Sequence, residues 1–147
     1  MRLRTATALL AAVLLSGCSE SPSPLRLTAT LSPNPLRPPD AEGWVFWDLE
    51  LRASGSGTVL VEQATVLLFN AAGVRVGENR PFYSRSAGCT VCTTDVTIEP
   101  GRSQRFSGNR SFYVGGGVPV RLVYTVFYTD DLGKSSTTVE VPVSTGS

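Results

Sequence analysis

Histidine is missing from all 147 residues, and lysine occurs once, at Lys134. The first absence removes Ser-His-Asp and Cys-His nucleophilic systems, together with the commonest transition-metal ligand. Lys134 sits in a predicted turn with no Ser-x-x-Lys spacing around it, so a Ser-Lys mechanism has no support either. Charge of one sign is also scarce: 13 basic residues face 12 acidic ones. That balance leaves no footprint for nucleic acid, and no basic cluster waits for anionic headgroups. Apolar residues nowhere recur with a helical period. The longest apolar run, Ala6 to Leu15, is about half of the ~20 residues that cross a bilayer. Two carboxylate pairs remain. Asp48 and Glu50 fall on the polar face of a predicted strand, and Asp130-Asp131 is ordinary turn chemistry. Calcium takes about six to eight oxygens, which no Asp-rich loop here supplies. No metal, cofactor or catalytic residue is expected.

What is present begins with an address. Arg2 and Arg4 precede the apolar run and small residues follow it, the three-part build of a secretory signal. Leu15-Ser16-Gly17-Cys18 resembles the bacterial lipoprotein box, with Leu three positions before the cut and Cys after it. The resemblance implies removal of residues 1–17 and acylation of Cys18, with residues 18–24 as a polar, proline-bearing tether. Each buried methylene contributes about 0.8 kcal/mol, so two or three acyl chains would hold the chain durably on a membrane. Ser19 rather than Asp after the Cys resembles an outer-membrane sorting signal in a bacterium with two membranes. The expected location is therefore the bacterial cell envelope, lipid-anchored, at the outer membrane facing the periplasm if the bacterium has two membranes. Cleavage would leave 130 residues with 11 basic and 12 acidic groups, one domain over residues 25–147.

That domain reads as short β-type runs separated by Gly, Pro and Asp. Leu25–Leu31 alternates with Leu25, Leu27, Ala29 and Leu31 on one face, and Ser32–Pro39, SPNPLRPP, then breaks the run. Trp44–Ala53 alternates again, with Val45, Trp47, Leu49 and Leu51 opposed to Asp48, Glu50 and Arg52. Further runs lie at Glu62–Asn70, Val74–Val76, Arg80–Ser84, Asp95–Ile98, Ser103–Ser107, Val118–Thr129 and Ser136–Val143. The pattern predicts an all-β, antiparallel sandwich. Residues 122–143, with Tyr124-Thr-Val-Phe-Tyr128-Thr-Asp-Asp-Leu-Gly133 leading into a valine-alternating strand, resemble the final hairpin of immunoglobulin-like and fibronectin type III-like domains. The resemblance implies an immunoglobulin-like sandwich of about seven strands. It departs from antibody domains in lacking an inter-sheet cysteine pair, and it implies little about function.

Cys89 and Cys92 stand in SAGCTVCTTD, the only Cys-x-x-Cys. A redox motif of this spacing opens a helix, whose terminus lowers the thiol pKa. Here Thr90, Val91, Thr93 and Thr94 are β-branched and no amphipathic helix follows. A metal site would need ligands beyond two thiolates. A local disulfide across a small loop is the expectation, and an envelope redox or metal-handling protein using the pair is the alternative.

One pattern points outward. Asn79-Arg80-Pro-Phe82-Tyr83 and Asn109-Arg110-Ser-Phe112-Tyr113 share Asn-Arg-x-Phe-Tyr, and Trp44 and Phe46 face away from the Val45/Trp47 side. In a strand the two rings of each copy point to opposite faces, so each copy buries one and exposes the other. The plainer reading packs the exposed rings under loops or the proline-rich segment. The functional reading makes Arg80, Tyr83, Arg110, Tyr113 and Trp44 a contact surface for a protein or envelope polymer. Either Phe or Tyr of each copy can face out, Tyr being favoured for its hydrated hydroxyl, and both motifs share one end of the sandwich if their strands border the Cys loop. A non-catalytic binding or structural module is the expected role. A loop-based protease inhibitor is a weaker one, with no specific motif.

Overall fold

The computed structural model describes residues 26–83 and 96–146, and side chains throughout these except at Arg26 and residues 79–83. Cys18, Cys89 and Cys92 lie outside the described residues. Eight strands form two antiparallel sheets: β1 (Arg26–Ser32), β2 (Trp44–Ser54), β3 (Val59–Asn70), β4 (Arg75–Tyr83), β5 (Val96–Ile98), β6 (Ser103–Phe112), β7 (Pro119–Asp130) and β8 (Gly133–Pro142). One sheet has the order β1-β2-β6. The other runs β4-β3-β7-β8, with β5 beside the first residues of β3.

The alternation of β2 survives intact, because Val45, Trp47, Leu49, Leu51 and Ala53 all lie buried between the sheets. Leu27, Ala29 and Leu31 join them from β1, and Leu122, Tyr124, Val126 and Tyr128 face them from β7. In β3 the inward residues are Val59 and Val61, then Ala64, Val66 and Leu68. Their parity changes at the bulge between Val61 and Gln63, because one extra residue turns every later side chain to the other face. Glu62 sits in that bulge, accepts the Thr129 hydroxyl at 2.7 Å and pairs with Lys134 at 3.6 Å. A second bulge divides β6, where Gly108 adopts a positive φ of 73° that favours glycine.

Two expectations need correction on element bounds. The runs Val74–Val76 and Arg80–Ser84 are parts of one strand, β4, and the Ser103–Ser107 run continues through the Gly108 bulge to Phe112. The described residues consequently form eight strands. The proline block does break β1, yet it still contributes structure. Leu36 is fully buried and makes a parallel bridge to Val143, donating its N–H to the Pro142 carbonyl at 2.9 Å and accepting from Ser144 at 2.9 Å.

Candidate functional site

Trp44 opens β2 because the preceding turn is tightly capped. The Asp40 carboxylate accepts the N–H groups of Glu42 at 3.0 Å and Trp44 at 2.8 Å, and Gly43 takes a φ of 91°. Tyr113 donates its N–H to the Gly43 carbonyl at 3.2 Å, which holds the end of β6 against this turn. The register of β2 and β6 sets Trp44 opposite Phe112 and Phe46 opposite Arg110. All four side chains therefore share the outer face of the three-stranded sheet.

On that face the Arg110 guanidinium lies over the Trp44 ring, 4.6 Å from its centroid. The Trp44 and Phe112 rings are 5.2 Å apart and tilted at 57°. Such a cation–π contact on a partly exposed ring is worth about 0.5–1 kcal/mol and holds the guanidinium in place. Phe46 and Phe112 remain 45% and 41% exposed, unusually open for large apolar rings. A cleft of about 400 Å³ lies beside the cluster, lined by Trp44, Glu78, Arg110, Phe112 and Val114. A second, of about 370 Å³, lies on the other side of Phe112 and Val114, against Glu42, Gly43 and Tyr113. The rest of the outer face is polar, with Asp48, Glu50, Arg52, Arg105 and Ser103 along β2 and β6.

Asp48 anchors the polar half. It accepts Arg105 Nη2 at 2.7 Å and the Gly108 N–H at 3.1 Å, so the bulge is closed by a carboxylate. The Arg105 hydrogen bond, then that from Gly108, hold its carboxyl below the ordinary value of 3.8. Glu50 and Asp131 are exposed and Asp130 half-buried, and none of them joins Asp48 in a cluster. Among the described residues no group of three or more His, Cys, Asp or Glu side chains is placed to hold a metal ion.

Of the sequence-predicted surface residues, Trp44 and Arg110 are brought together. Tyr113 is not the outward ring. The pairing of β6 with β2 beyond the Gly108 bulge sets Phe112 opposite Trp44 on the outer face, and Tyr113, just past the end of the strand, packs partly buried against the core. The Phe112 and Tyr113 rings lie 6.3 Å apart, 25° from parallel, rather than on opposite faces. The backbone of the first motif begins just past Gly77, beside the end of the second, and then leaves it. β4 crosses β6 near Gly77, and Val114 donates its N–H to the Val76 carbonyl at 2.9 Å. The backbone of Tyr83 pairs with Gln63, about 20 Å further along β4 from Gly77. The side chains of Arg80 and Tyr83 lie outside the described residues. Glu78 and Val114 were not legible as site residues, since only the crossing of the two sheets at Gly77 brings them there.

No protein-family model and no curated protein matches the chain. Among solved structures it is similar to an ApaA-type protein from Bordetella pertussis, at 11% identity and a TM-score of 0.46, covering 84% of this chain and 98% of that one. A structural-genomics target, SoR45, is similar at 11% identity and a TM-score of 0.44, covering 83% of this chain and 88% of its own.

Proposed function

We propose that the chain is a non-catalytic binding module of the bacterial envelope, held on the membrane by lipid at Cys18. The β2/β6 face would dock a protein partner. The observation that carries this reading is the Trp44–Arg110–Phe112 cluster: a Trp and an Arg, types that dominate interface hot spots, set with an exposed Phe ring on an otherwise polar sheet face. A protein fits better than a glycan. The Arg110 guanidinium already covers a face of the Trp44 ring on which a sugar would stack, while Phe46 and Phe112 offer apolar area. Glu78, paired with Arg75 at 3.1 Å, and Arg110 line the same cleft, so both charge signs stand at its wall. The redox or metal-handling alternative rests on Cys89 and Cys92, which lie outside the described residues.

The test is a photo-cross-linking residue at Phe112 in the full chain, in cells, against the same residue at the exposed Leu132 turn. A discrete protein adduct at position 112 alone, lost on Trp44→Ala, is expected. Equal labelling at both positions, or an adduct with cell-wall polymer instead, would defeat the protein reading. Cys18→Ala should separately release the chain from the membrane fraction. Retention of that variant on the membrane would refute the lipid anchor.

A further inference from the structure

The edge of the five-stranded sheet is built from β8, and its pattern is nearly self-complementary. β8 pairs with β7 from Asp130↔Gly133 to Arg121↔Pro142 without a bulge, and no proline interrupts it before Pro142. Natural edges are usually short, bulged or densely charged. Here Ser135, Ser136, Thr137, Thr138 and Val139 run without charge between Lys134 and Glu140.

The hydrogen-bond parity of the free edge can be read from its covered end. Val143 donates to the Val120 carbonyl of the neighbouring chain segment, whereas the Pro142 carbonyl and the Ser144 N–H turn the other way, to Leu36. Alternation then turns the N–H and C=O groups of Lys134, Ser136, Thr138 and Glu140 outward along the edge. Leu36 covers only the last step, and among the described residues no backbone pairs with the stretch 134–140 on that side.

We propose that β8 pairs with β8 of a second copy of this chain, antiparallel about a two-fold axis at Thr137, joining two five-stranded sheets into one. In that register Ser136 lies opposite Thr138 of the second copy, and Lys134 lies opposite Glu140 of the second copy. Both pairs use the outward-turned backbone groups, so the ladder is fully satisfied. Thr137 meets its own copy in a non-hydrogen-bonded position, with Cα atoms about 4.5 Å apart. The charges complement each other twice, once on each side of the axis, as a closed isologous contact requires.

The neighbours extend that complementarity. Within one copy Lys134 pairs with Glu62 at 3.6 Å, and Glu140 with Arg121 at 3.2 Å. Across the axis the order becomes Glu62, Lys134, then Glu140 and Arg121 of the second copy, alternating in sign throughout. The Lys134 side chain is 81% exposed and that of Glu140 54%, so both can turn toward the new strand. The β2/β6 cluster lies on the other sheet and stays free for its own partner.

Sedimentation equilibrium of the full chain in detergent micelles reads the result. Wild-type protein should be dimeric at micromolar concentration. Glu140→Lys sets lysine against lysine at both symmetric positions and should weaken the dimer by about tenfold or more. The double variant Lys134→Glu/Glu140→Lys should restore it. Thr137→Cys should form a dimeric disulfide under mild oxidation, since about 4.5 Å falls within the span that a disulfide bridges. Lys134→Cys should not, because its two copies are about 20 Å apart in this register. Unfolding midpoints of all variants monitor the fold. A monomeric wild type overturns the proposal, as does a dimer indifferent to Glu140→Lys or one cross-linked equally at positions 134 and 137.

Discussion

Trp47 of β2 and Tyr124 of β7 meet edge to face between the two sheets, with ring centroids 6.2 Å apart and planes at 76°. The pair joins the strands that carry the two longest alternating patterns, so it ties one sheet to the other at the centre of the core. Offset and edge-on arrangements of this kind add about 0.5–1.5 kcal/mol beyond the area they bury. The Tyr124 hydroxyl is fully buried and finds no hydrogen-bond partner among the described residues.

Tyr124→Phe should therefore keep the packing and lose only a costly group. An unpaired buried hydroxyl carries a penalty of about 1–3 kcal/mol, so the variant should melt no lower than wild type at neutral pH, and by preference a few degrees higher. Burial pushes the Tyr124 phenol well above its ordinary value of 10.0. A raised folded-state pKa gives stability that is complete below pH 10 and is lost as pH rises beyond it, because the unfolded chain releases the proton first. Thermal melts between neutral pH and pH 11 should show this alkaline loss in wild type and a smaller one in Tyr124→Phe. A lower neutral-pH midpoint for the variant would mean that the hydroxyl is paired.

Asp48 behaves in the opposite sense. Its folded-state pKa lies below 3.8, so its contribution is present above that value and fades as pH falls through the lowered one. Asp48→Asn keeps an acceptor for Gly108 and removes the charge that faces Arg105. At neutral pH the variant should melt slightly below wild type. The gap should narrow as pH falls below 3.8 and close once the wild-type carboxyl is protonated. A pH-independent gap would assign the effect to shape rather than charge.

Gly77 marks the point where β4 passes β6. A Cβ there would stand 2.8 Å from the Phe112 carbonyl oxygen, 3.0 Å from Leu68 Cδ1 and 3.3 Å from Tyr113 Cα. Two of these neighbours are backbone and cannot rotate away. Gly77→Ala should cost about 1–3 kcal/mol, and it should change Trp fluorescence by shifting Phe112 against Trp44. Gly73→Ala makes no new contact and tests backbone strain alone, since that residue has a φ of 74° with open space around its Cα. Equal midpoints for Gly77→Ala and wild type would show that the two strands separate easily.

For Cys89 and Cys92 the staple reading predicts thiols that resist alkylation in periplasm-derived protein until a reductant is added. The double Cys→Ser variant should stay folded, because so small a loop restrains little of the unfolded chain. Disulfide-exchange activity, with a potential near those of catalytic oxidoreductases, would instead support the redox alternative.

Much of the architecture was legible because local alternation already names the buried face. Val45 to Ala53 and Leu122 to Tyr128 read inward in sequence and lie inward in the sandwich, and the Gly and Asp breaks fall at the hairpins. The sequence by itself thus determined the all-β class, the antiparallel order of the last hairpin, and Trp44 with Phe46 as an outward pair. What it left open depends on non-local pairing. Bulges at Glu62 and Gly108 reverse side-chain parity, and only the partner strand shows where the extra residue sits. Phe112 rather than Tyr113 became the exposed ring because pairing with Trp44 beyond the Gly108 bulge sets the parity at the end of β6, which the sequence of β6 alone does not show. Leu36 lies buried within a proline block that reads as a break, because β8 offers its edge to that segment. Alternation is a property of one strand, whereas the ends, bulges and neighbours of a strand are decided by the whole sheet.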